Sequence, residues 1–162
     1  MTPAWRFHGG QWAAWTSLKR FKTVVAGRRW GKSELAVRWS LAGAMDDHLR
    51  GVGGVTWVIT PTYQMARPLW RKFLDTAPPG WVTNTVGTAH APNVIEVGSS
   101  RLEFRSGDHP ERLVGEGLRR VLLDECGTLK NQLWQESILP TLMDHRAPAL
   151  LTGTPKLSAG HF

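Results

Sequence analysis

Thr23-Val24-Val25-Ala26-Gly27-Arg28-Arg29-Trp30-Gly31-Lys32-Ser33-Glu34-Leu35-Ala36 decides how this chain folds. A short run rich in β-branched residues enters a tight turn, and Gly31-Lys32-Ser33 opens an amphipathic helix. Counted from Ala26, a small residue, four residues and then Gly-Lys-Ser is the spacing of a phosphate-binding loop. Backbone N–H groups in the turn and at the helix N-terminus attract anionic oxygens. Lys32 adds a point charge that reaches β- and γ-phosphates, and the Ser33 hydroxyl suits a Mg²⁺ ligand. Gly31 has no Cβ, so backbone and nucleotide can approach closely. Ala26 stands where the pattern usually has glycine, so a negative φ is expected there.

Composition points the same way. The 162 residues suit a single domain spanning 1–162, large enough for a real core. A formal net charge of +7 favours an anionic partner, with nucleic acid the default. The single cysteine, Cys126, excludes an internal disulfide and fits a reducing compartment. No apolar run approaches membrane-spanning length, and the first residues lack the apolar core of a signal peptide. The nine tryptophans are read mostly as packing residues.

Along the chain, residues 1–21 are expected to hold a short helix leading into a strand at Thr23–Ala26. A helix from Lys32 to about Met45 carries an apolar stripe of Val37, Leu41 and Met45, with Leu35 and Trp39 alongside. Asp46–Gly54 reads as a loop and Val55–Thr60 as a strand stopped by Pro61. A helix over about Arg67–Asp75 follows, with Pro68 in its first turn. Val94–Val97 and Arg101–Arg105 flank Gly98-Ser99-Ser100 as a hairpin. Val121–Leu123 is a buried strand, and a helix containing Leu133, Trp134 and Ile138 is closed by Pro140. Ala149–Thr152 is the last strand. Strands alternating with helices predict an α/β fold with a mostly parallel sheet covered on both faces.

Val121-Leu122-Leu123-Asp124-Glu125 supplies the second half of a nucleotide site. Two carboxylates at the C-terminal end of a buried strand lie where open α/β sheets place ligands. Asp124 is expected to hold Mg²⁺, and Glu125 to orient and deprotonate the water that attacks the γ-phosphate. Phosphoryl transfer asks for positioning and charge neutralisation, and Lys32, Ser33, Asp124 and Glu125 make the minimum set. The six histidines are too scattered for a metal-ligand pattern and are read as surface residues.

These residues also carry a resemblance. The chain resembles the N-terminal ATPase domain of the terminase large subunit, the DNA-packaging motor of tailed bacteriophages. The matching stretches are Ala26–Ser33, Leu113-Val114-Gly115-Glu116-Gly117-Leu118 and Val121–Cys126, then Trp134, Leu139-Pro140 and Leu150-Leu151-Thr152-Gly153-Thr154-Pro155-Lys156. They follow the family's order over nearly the whole chain. The resemblance implies a P-loop NTPase of the RecA-like (ASCE) three-layer type, ending after the coupling motif and without the family's nuclease domain. DNA cleavage is therefore not expected of this chain.

The resemblance implies further roles. Gln11 looks like the adenine-sensing glutamine upstream of the P-loop, since an amide both donates and accepts. Ala26, Gly27, Arg28, Arg29, Trp30, Gly31, Lys32 and Ser33 look like the ATP cradle, with Ser33 and Asp124 as Mg²⁺ ligands. Glu125, Arg28 and Lys32 look catalytic. Arg28 or Arg29 supplies a planar guanidinium for the spread charge of the transferring phosphoryl group. Thr152, Gly153 and Thr154 look like the coupling motif. Val114 stands where many relatives have arginine, leaving Arg112, Arg119 and Arg120 as substitutes. Cys126 replaces the usual alanine and is read as a packing residue.

The implied function is Mg²⁺-dependent ATP hydrolysis driving double-stranded DNA into a procapsid, in the host cytoplasm and away from membranes. The implied partners are double-stranded DNA, the portal protein and the small terminase subunit, with a homo-oligomeric ring on the portal and a monomer when isolated. Arg101, Arg105 and Arg112 are candidate DNA contacts, to be weighed against a solvated basic face. Two alternatives stand beside this reading: a catalytically silent ATP-binding fragment, and a helicase-like DNA-dependent ATPase, suggested by Ile59-Thr60-Pro61-Thr62 before a helix.

Overall fold

Val58 packs into one hydrophobic cluster, while its strand neighbours Val55, Trp57 and Ile59 pack into another on the opposite side. That period-two alternation is what a strand buried on both faces produces. Leu122 against Val121 and Leu123, and Leu150 against Ala149 and Leu151, repeat it. The computed structural model describes residues 5–109, 113, 117–130 and 132–155.

Seven strands form the sheet: β1 (Phe21–Val25), β2 (Gly54–Thr60), β3 (Val82–Gly87), β4 (Pro92–Val97), β5 (Ser100–Ser106), β6 (Arg120–Leu123) and β7 (Ala149–Gly153). Their order is β1-β7-β6-β2-β5-β4-β3. The first five are mutually parallel, and β4 and β3 continue antiparallel at the far edge. Helices α2 (Lys32–Leu49) and α3 (Tyr63–Thr76) cover one face with Leu35, Val37, Leu41, Leu69, Trp70 and Phe73. Phe104 of β5 meets Trp70 and Phe73 edge-on, at centroid distances of 5.0 and 5.4 Å. Truncating such a buried ring to alanine costs about 3–5 kcal/mol. Leu133, Ile138 and Leu142, with Leu113 and Leu118, cover the other face. The result is the three-layer α/β architecture of P-loop NTPases.

Several boundaries differ from expectation. β1 begins at Phe21 and ends one residue before Ala26. α2 runs on to Leu49 rather than stopping near Met45, which is only half-buried, because Ala44 and Asp47 of that last stretch are buried beneath it. α3 begins at Tyr63, since the Thr62 hydroxyl accepts from the Met65 N–H and caps it. Pro68 consequently lies in the helix interior instead of its first turn, where it leaves the Gln64 carbonyl without a helical donor. Ser100 belongs to β5, so the hairpin turn contracts to Gly98-Ser99, with Gly98 at φ +58°. β3 is an additional strand without a periodic signal, its side chains mostly exposed and following no alternation of burial. Leu133–Ile138 winds as a π-type turn, and Pro140 sits inside the short helical turn Leu139–Thr141 that continues it.

Candidate nucleotide-binding site

β1, β7 and β6 are adjacent and parallel, so their C-terminal ends open on one edge of the sheet. From β1 comes the loop Ala26–Ser33, from β6 Asp124-Glu125, and from β7 Thr152-Gly153-Thr154. A cavity of about 1000 Å³ lies there, lined by Gln11, Arg28, Arg29, Trp30, Gly31, Lys32, Ser33, Glu125 and Thr154 among the expected residues. Ala26, Gly27, Asp124, Thr152 and Gly153 do not line it. Of these, Ala26 and Gly27 hold the lining residue Lys32 through their carbonyls, and Thr152 bonds Asp124.

The loop is braced from inside. Lys32 is buried, and its ammonium donates to the Ala26 carbonyl at 2.7 Å and the Gly27 carbonyl at 3.1 Å. Gly31 caps α2 at φ +90°, a left-handed conformation. A Cβ at this position would lie 2.4 Å from Gln11 Nε2. A side chain at Gly31 would therefore have to displace the Gln11 amide as well as adopt a left-handed backbone. Arg29 is also left-handed, at φ +67°, whereas Ala26 keeps an ordinary backbone as expected.

The helix α1 (Gly9–Thr16) is hooked onto the loop. Gln11 Nε2 donates to the Gly31 carbonyl at 3.0 Å, and Gln11 Oε1 accepts from His8 N–H at 3.2 Å. His8 Nδ1 accepts from Gln11 N–H, so its Nε2 carries the proton it donates to the Trp30 carbonyl, 2.9 Å away. The His8 ring stands edge-on to Trp30 at 4.6 Å. His8 thus has more than a surface role. Its spacing from Gln11 is that of a helix-capping box.

The two carboxylates are each held by one hydroxyl of the β7 end. Thr152, fully buried, donates to Asp124 Oδ1. Thr154 donates its hydroxyl to Glu125 Oε1 at 2.9 Å and its N–H to Glu125 Oε2 at 3.2 Å. Glu125 is left-handed at φ +51°, which turns it from the strand line into the cavity. Burial raises the Asp124 pKa, the Glu125 charge adds to the rise, and the Thr152 bond and the Lys32 charge oppose it. The field of Lys32 therefore reaches Asp124. Burial, then the charges of Glu125 and Asp124, also raise the Cys126 thiol, which keeps it protonated beside Gly153.

Glu34, Met65, Lys72, Thr128 and Pro155 line the cavity in addition to the expected residues. Glu34 accepts from Arg38 at 2.6 Å and from Lys72 at 3.0 Å. The Glu34–Arg38 spacing was legible as an i,i+4 pair; the Lys72 contact bridges two helices and leaves no local trace.

Of the alternative arginines, Arg120 is committed elsewhere. It pairs with the equally buried Asp47 at 3.2 Å from the first position of β6, four residues before Asp124. Arg119 packs its side chain on Gly54 at the same remote end. Arg112, Val114, Gly115, Glu116 and Lys156 lie outside the described residues. Arg105 pairs with Glu103 at 2.7 Å and lies over Trp57, and Arg101 reaches Glu103 at 3.7 Å. No cluster of three metal-ligating His, Cys, Asp or Glu residues occurs among the described residues. No helix among them is long and apolar enough to cross a membrane.

No protein-family model matches the chain. The large terminase subunit of Thermus phage G20c is 28% identical over 92% of this chain and 34% of that protein. The chain thus spans about a third of the length of the curated relatives it matches. The large terminase ATPase domain of Thermus phage P74-26 is 25% identical, with a TM-score of 0.73 over 94% of this chain and 66% of that one. The UvsW helicase of bacteriophage T4 shares the fold, with a TM-score of 0.62 at 14% identity over 90% and 52% of the two chains. In sequence and in fold, then, the chain resembles the ATPase domain of phage large terminases.

Proposed function

We propose that the chain is the ATP-hydrolysing part of a DNA-packaging motor: Mg²⁺-dependent hydrolysis powers translocation of double-stranded viral DNA into a procapsid. One observation carries this reading. A single cavity is lined by Lys32 and Ser33 from the β1 loop together with Glu125 and Thr154 from two other strands.

Each group has a task. Lys32, already facing two loop carbonyls, exchanges them for β- and γ-phosphate oxygens. Arg28 and Arg29, both exposed at the cavity, offer guanidinium charge to the transferring phosphoryl group. Gln11 retains one N–H and one acceptor lone pair beyond its bonds to His8 and Gly31, enough to read an adenine edge. Ser33 and Asp124 offer hard oxygen donors, and a buried carboxylate with a raised pKa is relieved by a divalent cation, so the pair fits Mg²⁺. When bound, Mg²⁺ neutralises charge on the β- and γ-oxygens. Glu125, fixed by Thr154, takes the proton of the water whose oxygen bonds to the γ-phosphorus as the β–γ bridge breaks. Thr152 touches Asp124 and Thr154 touches Glu125, so the segment Thr152-Gly153-Thr154 is placed to pass γ-phosphate loss onward. The whole of 1–162 is read as one ATPase domain, working in the host cytoplasm as a ring on the portal, with portal protein, small terminase subunit and double-stranded DNA as partners.

The test is phosphate release from Mg-ATP with and without linear duplex DNA. Lys32→Ala is expected to lose nucleotide binding, and Glu125→Ala to bind nucleotide without turnover. If wild type and Lys32→Ala are equally inactive while nucleotide still binds, the chain is a silent nucleotide-binding fragment.

A further inference from the structure

One wall of the nucleotide cavity comes from outside the three loops. Met65 and Lys72 of α3 line it, and the Lys72 ammonium donates to Glu34, the residue after Ser33, at 3.0 Å. α3 begins at the C-terminal end of β2, on the same edge of the sheet as the cavity. Its inner face is anchored by Ala66, Leu69, Trp70 and Phe73.

Its outer face reads Tyr63, Arg67, Arg71, four residues apart and all exposed. Among the described residues neither arginine has an ion-pair partner, whereas Arg38, Arg50, Arg101, Arg105 and Arg120 each face a carboxylate. A paired guanidinium has its field largely cancelled; these two do not. Asp75 is the one acidic residue of α3, a turn beyond Arg71.

We propose that the Tyr63–Arg67–Arg71 face of α3 contacts the phosphate backbone of duplex DNA and is joined to the nucleotide cavity through Lys72–Glu34; this rests on the motor reading above. Two arginines four residues apart on a helix are separated by about 6 Å of rise. One strand of duplex presents a phosphate per roughly 3.4 Å of axis, so the pair spans about two phosphates. Guanidinium forks suit phosphate oxygens, and the Tyr63 hydroxyl adds a donor of the kind that positions duplexes without reading sequence. The net +7 charge favours an extended polyanion over a single acidic patch. Triphosphate entering the cavity competes with Glu34 for the Lys72 ammonium, which links nucleotide state to the seating of α3.

The experiment measures duplex affinity of the full chain by fluorescence anisotropy across a salt series, beside phosphate release with and without DNA. Arg67→Ala/Arg71→Ala should flatten the slope of log affinity against log salt by about 1.8, at roughly 0.9 per lost contact. Between about 50 and 200 mM salt the wild type would then lose about 12-fold more affinity than the variant. DNA-free hydrolysis should be unchanged and DNA stimulation lost. The lysine pair Arg67→Lys/Arg71→Lys should keep the slope, as should Lys19→Ala/Arg146→Ala, which removes two exposed charges with no ion-pair partner among the described residues. Wild type binding duplex with a slope that Arg67→Ala/Arg71→Ala leaves intact overturns this surface alone. An equal loss of slope in Lys19→Ala/Arg146→Ala overturns it too, leaving general charge as the cause. Wild type that hydrolyses ATP yet binds no duplex overturns the motor reading and this surface together.

Discussion

Thr154 holds both carboxylate oxygens of Glu125, one through its hydroxyl at 2.9 Å and one through its N–H at 3.2 Å. The residue proposed to activate water is thereby clamped by the segment that follows the neighbouring strand β7. Removing the hydroxyl leaves the N–H bond, so Thr154→Val should keep the fold and keep nucleotide binding. A hydrogen bond to a charged group is worth about 1.5–3 kcal/mol. Turnover should accordingly fall about 10- to 100-fold, with the nucleotide Kd nearly unchanged. Phosphate release against binding of a fluorescent nucleotide separates the two effects. Unaltered turnover would show that Glu125 needs no such clamp.

The contact between Gly31 and Gln11 makes a prediction about stability rather than rate. Gly31→Ala forces a left-handed alanine, at about 1–2 kcal/mol, and drives the Gln11 amide from its place. Displacing that amide breaks its bonds to Gly31 and His8, at about 1 kcal/mol each. In a Gln11→Ala background only the backbone strain remains. Denaturant titration of the four proteins should therefore give a cycle with a coupling of about 1–2 kcal/mol. Strict additivity would mean the loop relaxes around the new methyl.

Glu34 ties stability to pH. Burial pushes its pKa up, but the Lys72 bond and charge, together with Arg38, outweigh this and leave it below its ordinary 4.5. Its contribution is thus complete above the unfolded value and disappears as pH falls through the depressed folded one. Across that acid window, the thermal midpoint of wild type should drop more steeply than that of Glu34→Gln. Above it, the two curves should run parallel with wild type higher. Identical acid slopes would remove Lys72–Glu34 as a working contact.

How far these features could be read without coordinates depends on the range of the interaction. The spacing Ala26 to Ser33 and the apolar run before Asp124 are local patterns, because phosphate binding and strand burial each impose a rule on consecutive residues. The edge strand β3 and the early start of α3 escaped for local reasons too: β3 has no buried face to impose alternation, and the Thr62 cap outweighs the pull of Pro68.

By itself, then, the sequence determined the chemistry of the pocket: a lysine and serine at a helix start, two carboxylates at a strand end, and two threonines at the end of the last strand. Only the tertiary structure decided that β7 inserts between β1 and β6, so that Thr152 meets Asp124 and Thr154 meets Glu125. It also decided that Lys72 reaches Glu34 across two helices and that Arg120 is taken up by Asp47. The physical reason is that strand order is set by burying both faces of the sheet at once. No stretch of neighbouring residues records that global condition.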